Sequence, residues 1–341
     1  MAPVDRIVGV DVGGANVKYA SSDGDAASRF FPIWRHPERL ADAIADDLVR
    51  FGEIDALAVT MTGELADCFV DRAIGVDHIV SHTCQAAARL GIGDVSFYGV
   101  DGRFRDPDDA RRDVDLVAAA NWHALASFVG REIARDALLI DIGSTTTDII
   151  PVVDGRVATT AITDHDRLME GSLVYVGCRR TPVCALVDRL CFRGRSAGVM
   201  NEVFATIDDA RLVLGGVQQD SGDRDTADGM PRTAEFAANR LARMIGLDRR
   251  TVTTFDAREL ASQVIAAAQQ RLRDPIASLI PNSLIVLSGH GQDIAGLPDE
   301  HAAGDNAILQ LSEKLGPAVA RCAPSYAVAM LYRGQTIGAC E

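Results

Sequence analysis

Two stretches carry an aspartate at the end of a short apolar run and follow it with a turn of small residues: Ile7 to Lys18, IVGVDVGGANVK, and Leu138 to Asp148, LLIDIGSTTTD. Asp11 matches Asp141, Gly13 matches Gly143, Gly14 matches Ser144, Asn16 matches Thr146 and Lys18 matches Asp148. A turn of Gly and small hydroxyl residues exposes backbone N–H groups without side-chain obstruction, so it can wrap phosphate oxygens. The carboxylate ending the preceding strand is placed to hold a divalent cation, or its water, against those phosphates. One such stretch alone reads equally well as a Gly-assisted hairpin. The repetition, with both aspartates in register, points to a duplicated scaffold whose turns clamp one polyphosphate.

Further candidates follow along the chain. Lys18 and Lys314 are the only lysines in a chain that otherwise uses Arg. Lys18, inside the first turn motif, offers a compact charge with a tunable pKa, or is a strand lysine facing solvent. Thr60-Met61-Thr62-Gly63-Glu64 ends an apolar run at the edge where open α/β sheets bind ligands. Glu64 is a base or metal ligand there, or an acid at a helix N-terminus. Asp164-His165-Asp166 reads as a proton-transfer or metal position, or as a solvated loop. Tyr175 is expected on a short strand, with Arg179 and Arg180 beyond it suited to a carboxylate or diphosphate. Ser288-Gly289-His290-Gly291 forms a turn whose backbone, at Gly289 and Gly291, can approach a ligand.

The elements positioning these residues alternate between strand and helix. Each motif continues into a second strand, Val17 to Ser21 and Thr147 to Val153, and turns at Asp23-Gly24 and Asp154-Gly155 into a third. Leu40, Ile44, Leu48 and Phe51 recur at helical spacing after Pro37, and Ile54 to Val59 reads as a buried strand. A helix near Ile79 to Leu90, carrying His82 and Cys84 as structural residues, precedes a strand, Val95 to Val100, and an acidic loop, DGRFRDPDD. A long helix is expected from Val114 to Ile133, with a boundary near Arg135 dividing a first domain, 1–135, from a second, 136–341. Within the second, 184–278 reads as a mainly helical insertion, interrupted by Gln219 to Met230, a loop over a cleft or a surface linker. The amphipathic helix Ala234 to Ile245 follows. Ala307 to Leu315 is expected to be helical, and Pro324 to break or kink any helix in the apolar stretch Ala318 to Tyr332.

At 341 residues and 48% hydrophobic, the chain can bury a core sufficient for two modest domains. A formal net charge of -14 argues against nucleic acid or an anionic membrane as partner. Positive potential for a phosphorylated ligand must then be local. No basic-then-apolar leader and no apolar run of about 18 residues is visible, so a cytoplasmic location is expected. Seven cysteines without a CxxC pair suggest reduced thiols. Cys178, Cys184 and Cys191 form a metal site or are ordinary small buried residues.

DVGGANVK and DIGSTTTD resemble the first and second phosphate motifs of the actin, sugar kinase and Hsp70 superfamily, and LIVLSGHGQ is similar to its nucleotide-site strand and turn. VTMTGELAD at 59–67, AAANWHA at 118–124, LVYVGCRRTPV at 173–183 and ADGMPRTAEFAANRLARMIG at 227–246 together resemble the hydantoinase/oxoprolinase-like group linked to tetrahydromethanopterin C1 transfer. The resemblance spans nearly the whole chain and implies an α/β fold of two ribonuclease H-like domains with a cleft between them. In that fold the helix with Asn121 and His123 borders the cleft, where either would bond substrate or His123 would serve the core.

For activity, the superfamily implies a phosphotransferase that binds ATP. The narrower group implies a transferase of methanofuran biosynthesis, joining an aminomethylfuran diphosphate to a phenolic acceptor such as γ-glutamyltyramine. Gly13, Gly14, Asn16, Ser144, Thr145 and Thr146 would then hold diphosphate, with Asp11 and Asp141 on Mg2+. Lys18 would stabilise the departing charge or lower the phenol pKa, Glu64 would be the base, and Arg179 or Arg180 would take the glutamyl carboxylate. The competing expectations are an ATP-dependent kinase or amidohydrolase-like enzyme, and a nucleotide-binding regulator without turnover.

Overall fold

A computed structural model describes residues 6–279, 284–297 and 307–338. Ser283, expected to begin the returning strand, and Cys340 lie outside them. The first sheet contains β1 (Ile7–Val12), β2 (Asn16–Ser21), β3 (Ala26–Phe30), β4 (Ala56–Met61), β5 (Asp94–Tyr98) and β6 (Phe104–Arg105), in the order β3-β2-β1-β4-β5-β6. The second contains β7 (Ala137–Ile142), β8 (Thr147–Val153), β9 (Arg156–Val157) and β10 (Leu173–Val174). After a separate hairpin, β11 (Arg189–Phe192) and β12 (Arg195–Gly198), it is completed by β13 (Leu284–Gly289) and β14 (Ile308–Gln310), in the order β10-β8-β7-β13-β14 with β9 on β8.

The duplication is visible in the pairing. In the first copy β1 and β2 are antiparallel with Asp11 opposite Lys18; in the second β7 and β8 are antiparallel with Asp141 opposite Asp148. β4 and β13 then run parallel to β1 and β7. Every residue of β1 and β4 is buried, which explains their continuous apolar runs.

The lobes exchange helices. Asn121–Phe128, which follows the first sheet in the chain, packs on β8 and β9 of the second. Ala323–Gly338, at the far end of the chain, lies across β1, β2 and β4 of the first. The two helices pack against each other, and Trp122, Leu125, Ala327 and Val328 join both sheets in one core. Close approach here requires glycine: a Cβ on Gly9 would stand 1.8 Å from the Ser325 carbonyl oxygen.

Several expected elements differ. Val114–Ile133 is not one helix, because Ala118 is extended and Ala119 has φ 47°, so the helix restarts at Asn121 and ends in a π-turn, Val129–Ile133. Three alanines favour helix intrinsically; packing overrides them. The Ile79–Leu90 helix starts earlier, at Arg72, capped by Asp71. The 184–278 segment includes the β11–β12 hairpin. Ala307–Leu315 splits into β14 and a short helix, Leu311–Leu315, because 308–310 pair with β13. Pro324 does not break the last helix; it occupies its first turn, where its missing N–H costs nothing.

The Gln219–Met230 stretch is tied down rather than spread over the cleft. Asp228 accepts from Arg240 at 3.0 Å and Arg243 at 3.1 Å, and Asp220 bridges to Arg232. Arg232 and Arg240 also form buried ion pairs with Asp208 and Asp209. Among the described residues the cysteines are free, and no cluster of three metal-ligating side chains occurs.

Candidate functional site

The two small-residue turns open onto one cleft of about 680 Å³ between the lobes. Each turn closes on itself: the Gly13 N–H donates to Asn16 O at 3.0 Å, and Gly143 to Thr146 O at 2.9 Å. Among the described residues no backbone group accepts from the amides of Gly14, Ala15, Ser144 or Thr145. A side chain at Gly14 would meet nothing within 4 Å, since that position faces the opening. The turns are braced from behind. Thr62 and Gly63 both donate to Val12 O, and a Cβ at Gly177 would collide with the Thr145 backbone at 2.4 Å.

Asp11 and Asp141 both line this cleft, together with Gly13, Gly14, Asn16, Lys18, Glu64, Ser144, Thr145 and Thr146. Burial pushes the Asp11 carboxyl up to about 6, with Lys18 opposing. Burial does the same to Asp141, aided by the neighbouring Asp148 charge. Oδ1 of Asp11 is buried without a hydrogen-bond partner among the described residues. Lys18 has no ion pair among the described residues.

Glu64 enters from the loop after β4 and is 1% exposed, with Oε2 unpartnered among the described residues. Burial raises its carboxyl to about 7; Asp164 across the cleft adds to the rise and Arg72 opposes it. It is not a helix N-terminal acid, because that helix begins only at Arg72. Asp164 also lines the cleft, from the first turn of the helix Asp164–Glu170, while Asp166 is spent on a capping box with Thr163. The 164–166 stretch is therefore helical and not a loop.

Other expected residues separate. Arg180 lines the cleft, whereas Arg179 turns away and pairs with Asp223 at 2.7 Å. Gly289 and Gly291 do not line it. Gly289 has φ 84°, and side chains on the two would strike Ile142, so they let the chain pass the end of β7. Asn121 borders the cleft, but His123 points into the core, where its Nδ1 and the Tyr98 hydroxyl are 3.0 Å apart and burial lowers it to about 4. Tyr175 sits on the rim, one residue past β10 and 66% exposed.

Two lining residues carried no clear sequence signal. Arg167 is buried, bonded to Asp148, and its guanidinium lies 4.1 Å from the centroid of Trp122. Its only hint was Asp164 three residues earlier. Trp34, just past β3, faces Arg180 at 5.5 Å from ring centroid to guanidinium carbon. In all, the lining carries the carboxylates of Asp11, Glu64, Asp67, Asp141, Asp148 and Asp164 against the cations Lys18, Arg167 and Arg180. An anionic ligand therefore needs added positive charge or protons to enter.

Residues 55–332 match the family described as Hydantoinase/oxoprolinase. A Methanocaldococcus jannaschii protein named (4-{4-[2-(gamma-L-glutamylamino)ethyl]phenoxymethyl}furan-2-yl)methanamine synthase is 33% identical over 335 residues, covering 96% of this chain and 98% of that protein. A protein of the same name from Methanococcus vannielii is 29% identical over 215 residues, 62% of this chain and 96% of its own. Among solved structures, nucleotide-free acetone carboxylase is similar in fold, with a TM-score of 0.53 at 12% identity over 95% of this chain and 70% of its own.

Proposed function

Because the chain belongs to the hydantoinase/oxoprolinase family and has the two-lobed fold of the actin, sugar kinase and Hsp70 superfamily, we propose that it is a synthase of methanofuran-type cofactor assembly. The reaction condenses an aminomethylfuran-methyl diphosphate with the phenol of γ-glutamyltyramine, or a related tyrosine-derived acceptor, and releases diphosphate. The observation that carries this reading is the pair of amide-presenting turns on one cleft, in a chain 33% identical over 96% of its length to a synthase whose name describes the ether product.

The carbon–oxygen bond to diphosphate breaks with its electron pair leaving on the phosphate oxygen. The furan ring stabilises the carbon left behind, and the phenol oxygen bonds to it. The free amides of Gly14, Ala15, Ser144 and Thr145, with the side chains of Asn16 and Thr146, receive the departing charge. Losing one such donor typically costs roughly 3 to 4 kcal/mol of transition-state stabilisation. Lys18 adds a point charge beside them. The ionised Glu64, whose carboxyl burial raises to about 7, accepts the phenol proton.

Asp11 and Asp141 suit Mg2+, since Asp11 is buried with one oxygen unpartnered among the described residues, Asp141 is half-buried on the same cleft, and the cleft carries excess negative charge. When bound, the ion would neutralise charge on the diphosphate. The discriminating experiment is a thermal-shift series with magnesium and ATP, diphosphate or a furfuryl-type diphosphate, followed by product analysis. Stabilisation by the diphosphates, with an aryl ether formed, is expected. Stabilisation by ATP alone would transfer the protein to the kinase-like reading.

A further inference from the structure

Trp34 and Arg180 come from opposite lobes and meet at the cleft mouth. Each is tied to one phosphate-type turn by backbone hydrogen bonds, made by its neighbours in the case of Trp34. Phe31 and Ile33, just before Trp34, donate to the carbonyls of Ala15 and Gly14 at 2.9 and 3.0 Å. The Arg180 N–H donates to Ser144 O at 2.9 Å. The separation of the turns therefore sets the separation of this pair. Arg180 has no carboxylate partner among the described residues, whereas its neighbour Arg179 is consumed by Asp223. At 5.5 Å from the indole centroid the guanidinium lies over the ring without closing on it, so its N–H edge stays free for a planar acceptor.

We propose that Trp34 and Arg180 form a cross-cleft subsite for a carboxylate, completed when both turns grip the diphosphate. Arg180 takes the carboxylate through two N–H groups, and Trp34 is a positioning residue that holds the guanidinium plane. The identity of the carboxylate as the glutamyl end of the acceptor rests on the function proposed above. Diphosphate then binds first and acceptor second, and by thermodynamic reciprocity each tightens the other.

The test is calorimetric titration of γ-glutamyltyramine, and of tyramine, which lacks the carboxylate, with and without magnesium diphosphate. In the wild type, diphosphate should tighten γ-glutamyltyramine by about tenfold or more and leave tyramine unchanged. Arg180→Ala and Trp34→Ala should reduce this coupling to less than about twofold, and Trp34→Phe, which keeps a π face, should restore part of it. Quenching of Trp34 emission, present in wild type and absent from Trp34→Phe, should accompany acceptor binding. Coupling that persists in Arg180→Ala, equal coupling for tyramine, or no acceptor binding beside diphosphate overturns the proposal. Turnover without coupling would refute the subsite and keep the function; coupling without ether formation would do the reverse.

Discussion

Replacing Arg167 with Met should cost the fold about 5 kcal/mol, and the cost should come from what is left behind. The side chains of Arg167 and Asp148 are 2% and 12% exposed, and the guanidinium also donates to Ser172 O. Removing one partner of such a pair leaves a dehydrated charge and typically costs about 3 to 5 kcal/mol. Loss of the stack on Trp122 adds about 1 to 2 kcal/mol, while the methionine retains much of the apolar stem. The double variant Arg167→Met/Asp148→Leu removes both charges and should recover to within about 1 to 2 kcal/mol of wild type. Urea unfolding by circular dichroism, with both midpoint and slope compared, measures the cycle. A loss below about 1 kcal/mol in the single variant, or a double variant no better than the single, would refute the reasoning.

Gly9→Ala should destabilise strongly, because the new methyl meets the Ser325 carbonyl oxygen at 1.8 Å and the last helix must lift; hydrogen exchange should rise in β1 and in 323–336. Burial holds Asp11 and Asp141 near 6, above the ordinary carboxylate value of 3.8. Between those values the folded state binds more protons than the unfolded, so their contribution to stability falls as pH rises from about 4 to 6 and stays reduced above it. Asp141→Asn should consequently raise the melting temperature of the ligand-free protein at about pH 8 and abolish stabilisation by magnesium diphosphate, both read by thermal shift. Glu64→Gln should lower kcat/KM by about 10² to 10⁴ and remove the rise in activity through about pH 7 that ionisation of Glu64 gives the wild type.

The duplicated Asp-turn-strand pattern was legible because both copies obey the same local rules: a buried run, a turn, an antiparallel return. Their register, with Lys18 opposite Asp11 and Asp148 opposite Asp141, follows directly from the spacing. What stayed hidden depends on contacts distant in sequence. The Ala118–Ala120 break needs a left-handed alanine, Ala119, which lines the cleft. The turns at Gly289 and Gly291 looked like ligand contacts, but glycine is equally required where a backbone crosses a strand end. Arg167 resembled any helical arginine until Asp148 and Trp122 converged on it. Gln219–Met230 read as loose because its restraints, Arg240 and Arg243, lie on the next helix.

The exchanged helices also set a timetable for synthesis. As the chain leaves the ribosome, the opening six-stranded sheet is assembled early, yet the face that receives 323–338 stays bare until almost all of the polypeptide has been made. The nascent first half is thus an unfinished object with an apolar wall turned to water, a candidate for chaperone custody. Fragments ending before that helix should be the ones that precipitate.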